Sequence, residues 1–398
     1  MTQPRFIQIH SLHTYPAALI NRDDAGLAKR LPLGNTTRTR ISSQCLKRHW
    51  RMADDPFALS MLNVPMAIRT RGALERIRSL IMEHNIAEPL AQAAAEALRD
   101  GGLVDKAGKA IKGEDALKTG QAVLMGKAEM DYLASRCVTL AQAHPTETAL
   151  KAAVLKLLKD EKANIQALKL GSGLESALFG RMVTSDVLAS RDAAVYVAHS
   201  FTVHAAQVEN DYFTVVDDLL REAGEISSAG IFDTELASGL YYGYVVVDVR
   251  QLFANLEGED IQACFADTTA PEKRALAAKV VEHLLHLIAT VSPGAKRGST
   301  APFDWAKFLL VEAGDWQPRS LASAFHDALP LADKDERPIR QRAIARLHDE
   351  IAKMDDAYGA LLARRVMALD PVEIPKAQRL NLNDLTTWTA QAIMTGVC

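Results

Sequence analysis

Apolar and polar positions alternate as soon as the chain begins. In FIQIH, Ile7 and Ile9 interleave with Phe6, Gln8 and His10, a period of two that predicts a strand over residues 5–10. Ser42 and Ser43 are residue types that cap helix N-termini, and the text after them predicts a helix running to about Met52. From about 66 to 170 the chain is rich in Ala, Leu and Lys at helical spacing, with Leu150, Val154, Leu157, Leu158, Ile165 and Leu168 on one apolar stripe. Five glycines between 101 and 120 interrupt this stretch and predict a mobile loop. Strand-like text returns at 177–184 and 193–203, and residues 241–249 (YYGYVVVDV) carry the strongest β-signal in the chain. A helix is predicted over 271–291, a strand over 307–312, and two further helices over 319–329 and 337–367. No internal repeat is present.

The core elements therefore follow the order β (5–10), α (43–52), β (177–184), β (241–249), α (271–291), β (307–312). That is the βαββαβ order of a ferredoxin-like sheet, the fold of RNA-recognition-motif modules. The predicted class is α+β. A mostly helical insertion at about 60–170 interrupts it, and a second insertion at about 190–238 separates the two middle strands.

Composition narrows the class. The 398 residues, 48% hydrophobic and 24% charged, suit a globular protein able to bury one large core or two ordinary ones. No run of about 18 apolar residues offers a transmembrane helix. MTQPRFIQIH lacks the apolar segment of a secretory signal. Cys45, Cys137, Cys264 and Cys398 lie far apart with no C-x-x-C pair, which argues against a zinc ribbon or disulfide scaffold and fits a reducing cytoplasm. A cytoplasmic protein with no membrane partner is the expectation.

Charge changes the picture more. The formal net charge is −3, yet residues 1–51 stand near +7, leaving about −10 for the remainder. Within residues 21–51, Arg22, Lys29, Arg30, Arg38, Arg40, Lys47, Arg48 and Arg51 face only Asp23 and Asp24. A concentrated positive segment on a mildly acidic chain is an address for a polyanion, most often nucleic acid. On the predicted helix, Lys47, Arg48 and Arg51 share one face while Leu46 and Trp50 share another. One face can dock on the sheet while the other presents cations to phosphates; the plainer alternative is a solvated helix face. Phosphate contacts give affinity without sequence information, which suits a protein that must hold RNA of any sequence.

Enzyme signatures fail one by one. Glu282-His283-Leu284-Leu285-His286 spaces its histidines by three with Glu before both, unlike H-E-x-x-H. Gly171-Ser172-Gly173 is not completed to G-x-G-x-x-G, and neither a P-loop nor a nucleophile elbow occurs. No catalytic residue, metal or cofactor is expected. His10 and His13, near Arg22, leave general acid–base cleavage of RNA as an alternative.

The wording of the basic arm is more specific than its charge. FIQIH leads into N-R-D-D and then R-I-S-S-Q-C-L-K-R. Gly180-Arg181-Met182, Asp211-Tyr212-Phe213-Thr214-Val215-Val216-Asp217-Asp218 and Val291-Ser292-Pro293-Gly294-Ala295-Lys296-Arg297 follow in order. Together these motifs, spread from residue 5 to about 330, resemble the CasC family, the backbone subunit of the Cascade complex in type I-E CRISPR systems. The C-terminal 70 or so residues add little to the match. The resemblance implies a hand-shaped subunit. Its discontinuous palm covers 1–60 and 171–335, helical fingers cover 61–170, a thumb at 205–238 lies within the palm, and a C-terminal helical segment covers 336–398. It implies a non-catalytic protein whose copies stack along one CRISPR RNA, with other Cascade subunits as partners and target DNA reached through guide pairing. A ferredoxin-like CRISPR RNA-processing endoribonuclease is the enzyme alternative.

RNA contacts are then expected from Arg22, Lys29, Arg38, Arg40, Ser42, Gln44, Lys47, Arg48 and Arg51 of the arm. Further contacts are expected from Arg181 and Met182, from Tyr212, Phe213 and Thr214 of the thumb, and from Lys296 and Arg297 on the loop after Pro293-Gly294. Met182 matches a family position for an apolar side chain pressed against RNA, whereas a lone Met is core in most proteins. Neighbours in a strand point to opposite faces, so at most one of Tyr212 and Phe213 is core. By the resemblance, one of the rings or the backbone beside it wedges between stacked bases. Lys151, Lys156, Lys159 and Lys162 are either a solvated helix face or, by the resemblance, a surface that touches DNA.

Overall fold

A computed structural model of the chain describes residues 2–103, 117–119, 122–167, 170–182, 188, 190–216, 228–294 and 298–398. The chain divides into two compact units, one of residues 1–59, 196–247 and 278–398, the other of residues 60–195 and 248–277. Among the described residues the strands are β1 (Phe6–Ala18), β2 (Arg30–Leu33), β3 (Thr36–Ile41), β4 (Ala67–Thr70), β5 (Val123–Gly126), β6 (Val195–Val197), β7 (Ser200–Thr202), β8 (Gln207–Val216), β9 (Ser228–Asp248), β10 (Phe308–Gly314), β11 (Ala363–Ala368) and β12 (Ala377–Arg379).

The first unit is built on a sheet of order β12-β11-β10-β1-β9-β7-β3-β2, with β8 also paired to β9. β1 lies at its centre, antiparallel to β10 from Phe6↔Gly314 to Leu12↔Phe308. Every residue of Phe6–Leu12 is buried. The period-two pattern of the sequence therefore does not separate a dry face from a wet one. On β1 it lines up Gln8 and His10 on a face that is buried and polar.

That face is a network. Gln8 pairs in register with Glu312, and Glu312 with Arg364, so the three lie in one line across β1, β10 and β11. The Glu312 carboxylate accepts two bonds from Arg319 (2.6 and 2.9 Å), one from Arg364 Nε (2.7 Å) and one from His10 Nε2 (3.2 Å). Arg364 turns its remaining nitrogens to Asp355 at 2.5 and 2.6 Å. The Tyr242 hydroxyl donates to His10 Nδ1 at 2.8 Å, and Gln8 Oε1 accepts from the Tyr244 hydroxyl and the Arg319 amide, each at 2.8 Å. Burial alone would raise the Glu312 pKa, but His10 and Arg319 outweigh it and hold the carboxyl well below the usual carboxylate range. Burial lowers the His10 pKa, which keeps the ring neutral near pH 7 with its proton on Nε2.

At the other end of the sheet, β2 and β3 pair through the two-residue turn Gly34-Asn35. Gly34 has φ +61°, and a Cβ there would lie 1.7 Å from the His326 carbonyl oxygen, so only glycine fits. Beside this turn Arg38 is fully buried and donates to the carbonyls of Thr202 (3.0 Å), Phe325 (3.0 Å) and His326 (3.2 Å). The expectation that Arg38 meets phosphate is corrected here. Its guanidinium is consumed in fastening β3 to β7 and to the 3₁₀ turn Ala322–Phe325, and burial lowers its pKa.

In the second unit, helices Ala73–Glu83, Glu88–Asp100, Lys127–Ala143 and Glu147–Asp160 surround an apolar core that includes Leu150, Val154, Leu158 and Ile165. β4 and β5 pair antiparallel in the same unit. Leu157 of the stripe is buried as well, whereas Leu168 and most of the glycine-rich 101–120 segment lie outside the described residues.

Other expectations also change. The text at 177–182 does not form a strand, because Leu174–Phe179 is a short helix bracketed by Gly173 and Gly180 at φ +80° and +78°, and residues 183 and 184 lie outside the described residues. Leu174, Ala177 and Leu178 are buried at helical spacing. The helix expected at 319–329 shrinks to the turn Ala322–Phe325. The helix expected over 337–367 ends at Tyr358, where Gly359 takes φ +83°, and the chain returns as β11. The 336–398 segment is therefore not helical throughout. β11 and β12 extend the sheet edge, and the Leu382–Thr395 helix follows. On β11, Arg364, Val366 and Ala368 are buried at period two, a strand signal set inside otherwise helix-prone text.

These contacts set how stability responds to acid and to substitution. His10 and His13 (pKa lowered to about 4 by burial) and Glu312 all bind protons less readily folded than unfolded. Stability is therefore full above about pH 6.5 and falls as acid is added, first through the histidines and then, below the ordinary glutamate value of 4.5, through Glu312. The urea midpoint should drop between pH 7.5 and pH 5, and an unchanged midpoint contradicts this account. Glu312→Gln should cost about 3–5 kcal/mol at pH 7 by leaving buried guanidinium charge uncompensated. Arg38→Leu should cost about 2–4 kcal/mol by orphaning buried carbonyls. An Arg38 variant that melts like wild type but binds RNA more weakly would return Arg38 to the binding surface.

Candidate nucleic-acid interface

The arm is shaped by short-range hydrogen bonds. The Lys29 amide reaches the Asn21 carbonyl and the Asp23 amide the Leu27 carbonyl, both at 2.8 Å. Asp23 Oδ1 also accepts the amides of Ala25 and Leu27 at 3.0 and 2.9 Å. Asn21 Oδ1 takes the Ser42 amide at 2.8 Å, and the Arg40 amide reaches the Lys29 carbonyl at 2.8 Å. The loop is thus pinned both to β3 and to the start of the helix that follows.

That helix, α1, runs Ser43–Arg51 and is capped by Ser42, whose hydroxyl accepts the Cys45 amide at 3.3 Å. Ser42 is buried in this role. Trp50 is buried, and Cys45 and Leu46 pack against Tyr15, Ile41 and Tyr241. The other face leaves Gln44 and Arg48 exposed and Lys47 and Arg51 half-buried. Partial burial lowers the Lys47 pKa, a penalty that a phosphate neighbour relieves. Among the described residues Arg22, Lys29, Arg40 and Arg48 have no ion pair, whereas Arg30 is bound to Glu235. Lys29, Arg30 and Arg40 line a recess of about 360 Å³ together with Asp23, Asp24 and Ala28.

The segment expected to form the thumb belongs to the same unit. β8 and the first half of β9 form a hairpin from Gln207↔Ser238 to Val216↔Ser228, with a bulge at Val215/Val216. Tyr212 and Phe213 are 64% and 40% exposed, so neither ring is core. Thr214 is exposed as well. The hairpin base is tied to the arm through Glu235, which is buried and accepts the Ala28 amide at 2.7 Å along with the Arg30 guanidinium. Sequence reading missed Glu235 because an acid inside a strand gives no signal of a partner some 200 residues away.

The loop at 291–294 also belongs here. Ser292 and Asp304 exchange hydrogen bonds at 2.8 Å, and Gly294 lies against His49 of α1. Lys296 and Arg297 lie outside the described residues.

The remaining candidates belong to the second unit. Met182 is 96% exposed, so its side chain is not core. Arg181 is corrected: it is buried and forms a bidentate pair with Glu129 at 2.7 and 2.8 Å, which commits its guanidinium within the unit. Lys151 is bonded to Glu96 at 2.7 Å, and Lys156, Lys159 and Lys162 are exposed. Lys162 opens a new helix, Lys162–Ala167, after the break at Glu161. The two histidines offered for RNA cleavage are both engaged. His10 is enclosed by Tyr242 and Glu312, and half-buried His13 bonds the Ile288 carbonyl at 3.1 Å. Among the described residues no cluster of three His, Cys, Asp or Glu is placed to hold a metal ion, and no helix is long and apolar enough to cross a membrane.

Comparison with known proteins gives this geometry a context. No curated protein matches the chain. A chain of a solved structure described as a CRISPR RNA-guided surveillance complex, pre-nicking, is similar over 98% of this chain and 100% of its own length, at 25% identity and a TM-score of 0.78. A chain of another, a CRISPR RNA-guided surveillance complex, is similar in fold over 96% of this chain and 99% of its own, at 22% identity and a TM-score of 0.63. The model of the CT1975-like proteins matches residues 7–392, nearly end to end, and the chain belongs to that family.

Proposed function

We propose that the chain is a guide-RNA-binding subunit of a Cascade-type, CRISPR RNA-guided surveillance complex. The observation that carries this reading is the arm. Exposed or half-exposed cations on the 21–29 loop, β3 and α1 share a rigid support in a chain whose net charge is −3. Such a surface binds phosphates whatever the base sequence. The whole-length likeness to chains of two CRISPR RNA-guided surveillance complexes supports it.

The finer reading is a type I-E CasC-like backbone subunit. In it, copies stack along one CRISPR RNA, each holding a few phosphates with Arg22, Lys29, Arg40, Gln44, Lys47, Arg48 and Arg51. The thumb, with Tyr212, Phe213 and Thr214, displaces a base, and Met182 presses on the RNA. The rest of the guide stays open for pairing with target DNA, whose strands are met by Lys156, Lys159 and Lys162. The order β10-β1-β9-β7, with α1 and the Ala275–Thr290 helix between strands in the chain, agrees with the 4-1-3-2 order expected of a ferredoxin-like palm and supports that part of the reading, with β7 taking the place first given to 177–184. In this reading the protein preorganises the guide and makes or breaks no bond. The engaged state of His10 and His13 weighs against the endoribonuclease alternative.

The test is binding of two unrelated single-stranded RNAs by Lys47→Ala/Arg48→Ala across a salt series. Affinity for both should fall alike, and the salt slope should shrink by roughly 0.7 for each phosphate that the variant no longer neutralises. Wild-type affinity and slope in the variant would make the arm a solvated surface and defeat the proposal.

A further inference from the structure

His199 stands beside the arm, just before β7. It is exposed, and the chain beside it is held by the Ala198 amide bonding the Tyr244 carbonyl at 2.9 Å. Its Nδ1 faces two groups at once: the first amide of α1, on Ser43, at 3.2 Å and Arg40 Nη1 at 3.3 Å. An amide and a guanidinium are obligate donors, so Nδ1 must be the acceptor and the ring proton sits on Nε2. Burial, then Arg40 and Lys29, lower the His199 pKa, which agrees with a neutral ring. Arg40 is held at a second point, its Nε donating to the Arg30 carbonyl at 3.3 Å.

We propose that His199 is a positioning residue for phosphate recognition: its Nδ1 holds the Arg40 guanidinium beside the first turn of α1, so that this cation meets the RNA backbone already oriented. The inference rests on the RNA-binding reading above. An exposed arginine samples many rotamers, and fixing it when a ligand arrives costs affinity. Two anchors, the Arg30 carbonyl and the His199 ring, fix Arg40 beforehand while leaving the rest of its planar fork of donors for an anion. The same ring satisfies an amide at a helix N-terminus, a place that favours negative charge.

The experiment measures binding of labelled oligouridylate to the full chain across salt, for wild type, Arg40→Ala, His199→Ala, His199→Asn, His199→Gln and the double alanine variant. The Asn side-chain oxygen falls near the Nδ1 position and the Gln oxygen near Nε2. His199→Ala should weaken binding about threefold to tenfold, the worth of one organising hydrogen bond. His199→Asn should recover most of that loss and His199→Gln should not. The double variant should be no weaker than Arg40→Ala by more than about twofold, since the two residues act as one unit. Losses that add, or Asn and Ala variants that bind alike, would overturn the role. Full binding by His199→Ala would overturn it too, while leaving the RNA-binding reading intact. A wild-type chain that binds no RNA would defeat both.

Discussion

One buried carboxylate organises the first unit. Glu312 sits in the middle of the sheet with both of its oxygens occupied, and the groups that occupy them come from β1, β11 and the segment after β10. A charge at that depth is tolerable only when its partners are fixed, and the partners are fixed only when their strands are. His10 is fastened in turn by Tyr242, and Arg364 by Asp355. Strand register, the return of the chain after Tyr358 and the docking of the 319–321 segment are thus coupled through one residue. An apolar core of equal volume would hold the strands together without specifying their alignment so tightly.

The basic residues of the chain divide by fate. Arg38, Arg181 and Arg364 are spent inside their own units on carbonyls or carboxylates, where the planar fork of donors suits several fixed acceptors. Arg22, Lys29, Arg40 and Arg48 remain at the surface around α1. The division is not visible in residue type. Arg38 and Arg40 share one face of β3, so the division follows from how much carbonyl and carboxylate oxygen the neighbouring segments bring close.

Sequence patterning revealed the local features well. The cap at Ser42, the helix to Arg51, the β-run at 241–248 and the apolar stripe from Leu150 to Ile165 are each set by neighbours within a few residues, and such neighbours leave a periodic trace. What was illegible depends on distant partners. The text from Ala177 reads as strand until Gly173 and Gly180 are seen to bracket the Leu174–Phe179 helix at positive φ. Residues 363–368 follow a helix in helix-prone text, yet Arg364 has to reach Glu312, a residue 52 positions away. Of the arm, the clustering of charge was legible. The burial of Arg38, the role of Glu235 at the base of the β8–β9 hairpin and the contact of His199 with Arg40 were not, because each pairs residues more than 150 positions apart.

β9 runs without interruption from Ser228 to Asp248, so the outer half that pairs with β8 and the inner half that carries Tyr242 and Tyr244 are one strand. At about 3.3 Å per residue it is a rod of roughly 65 Å. No loop separates the two halves, so the hairpin's reach is counted in residues from buried Tyr242. Lengthening or shortening the strand by one residue would move the tip by about one such step and turn every side chain on it to the opposite face. Distance along the molecule is in this sense encoded as arithmetic in the chain, and whatever the hairpin touches is spaced by a ruler whose zero mark lies in the core.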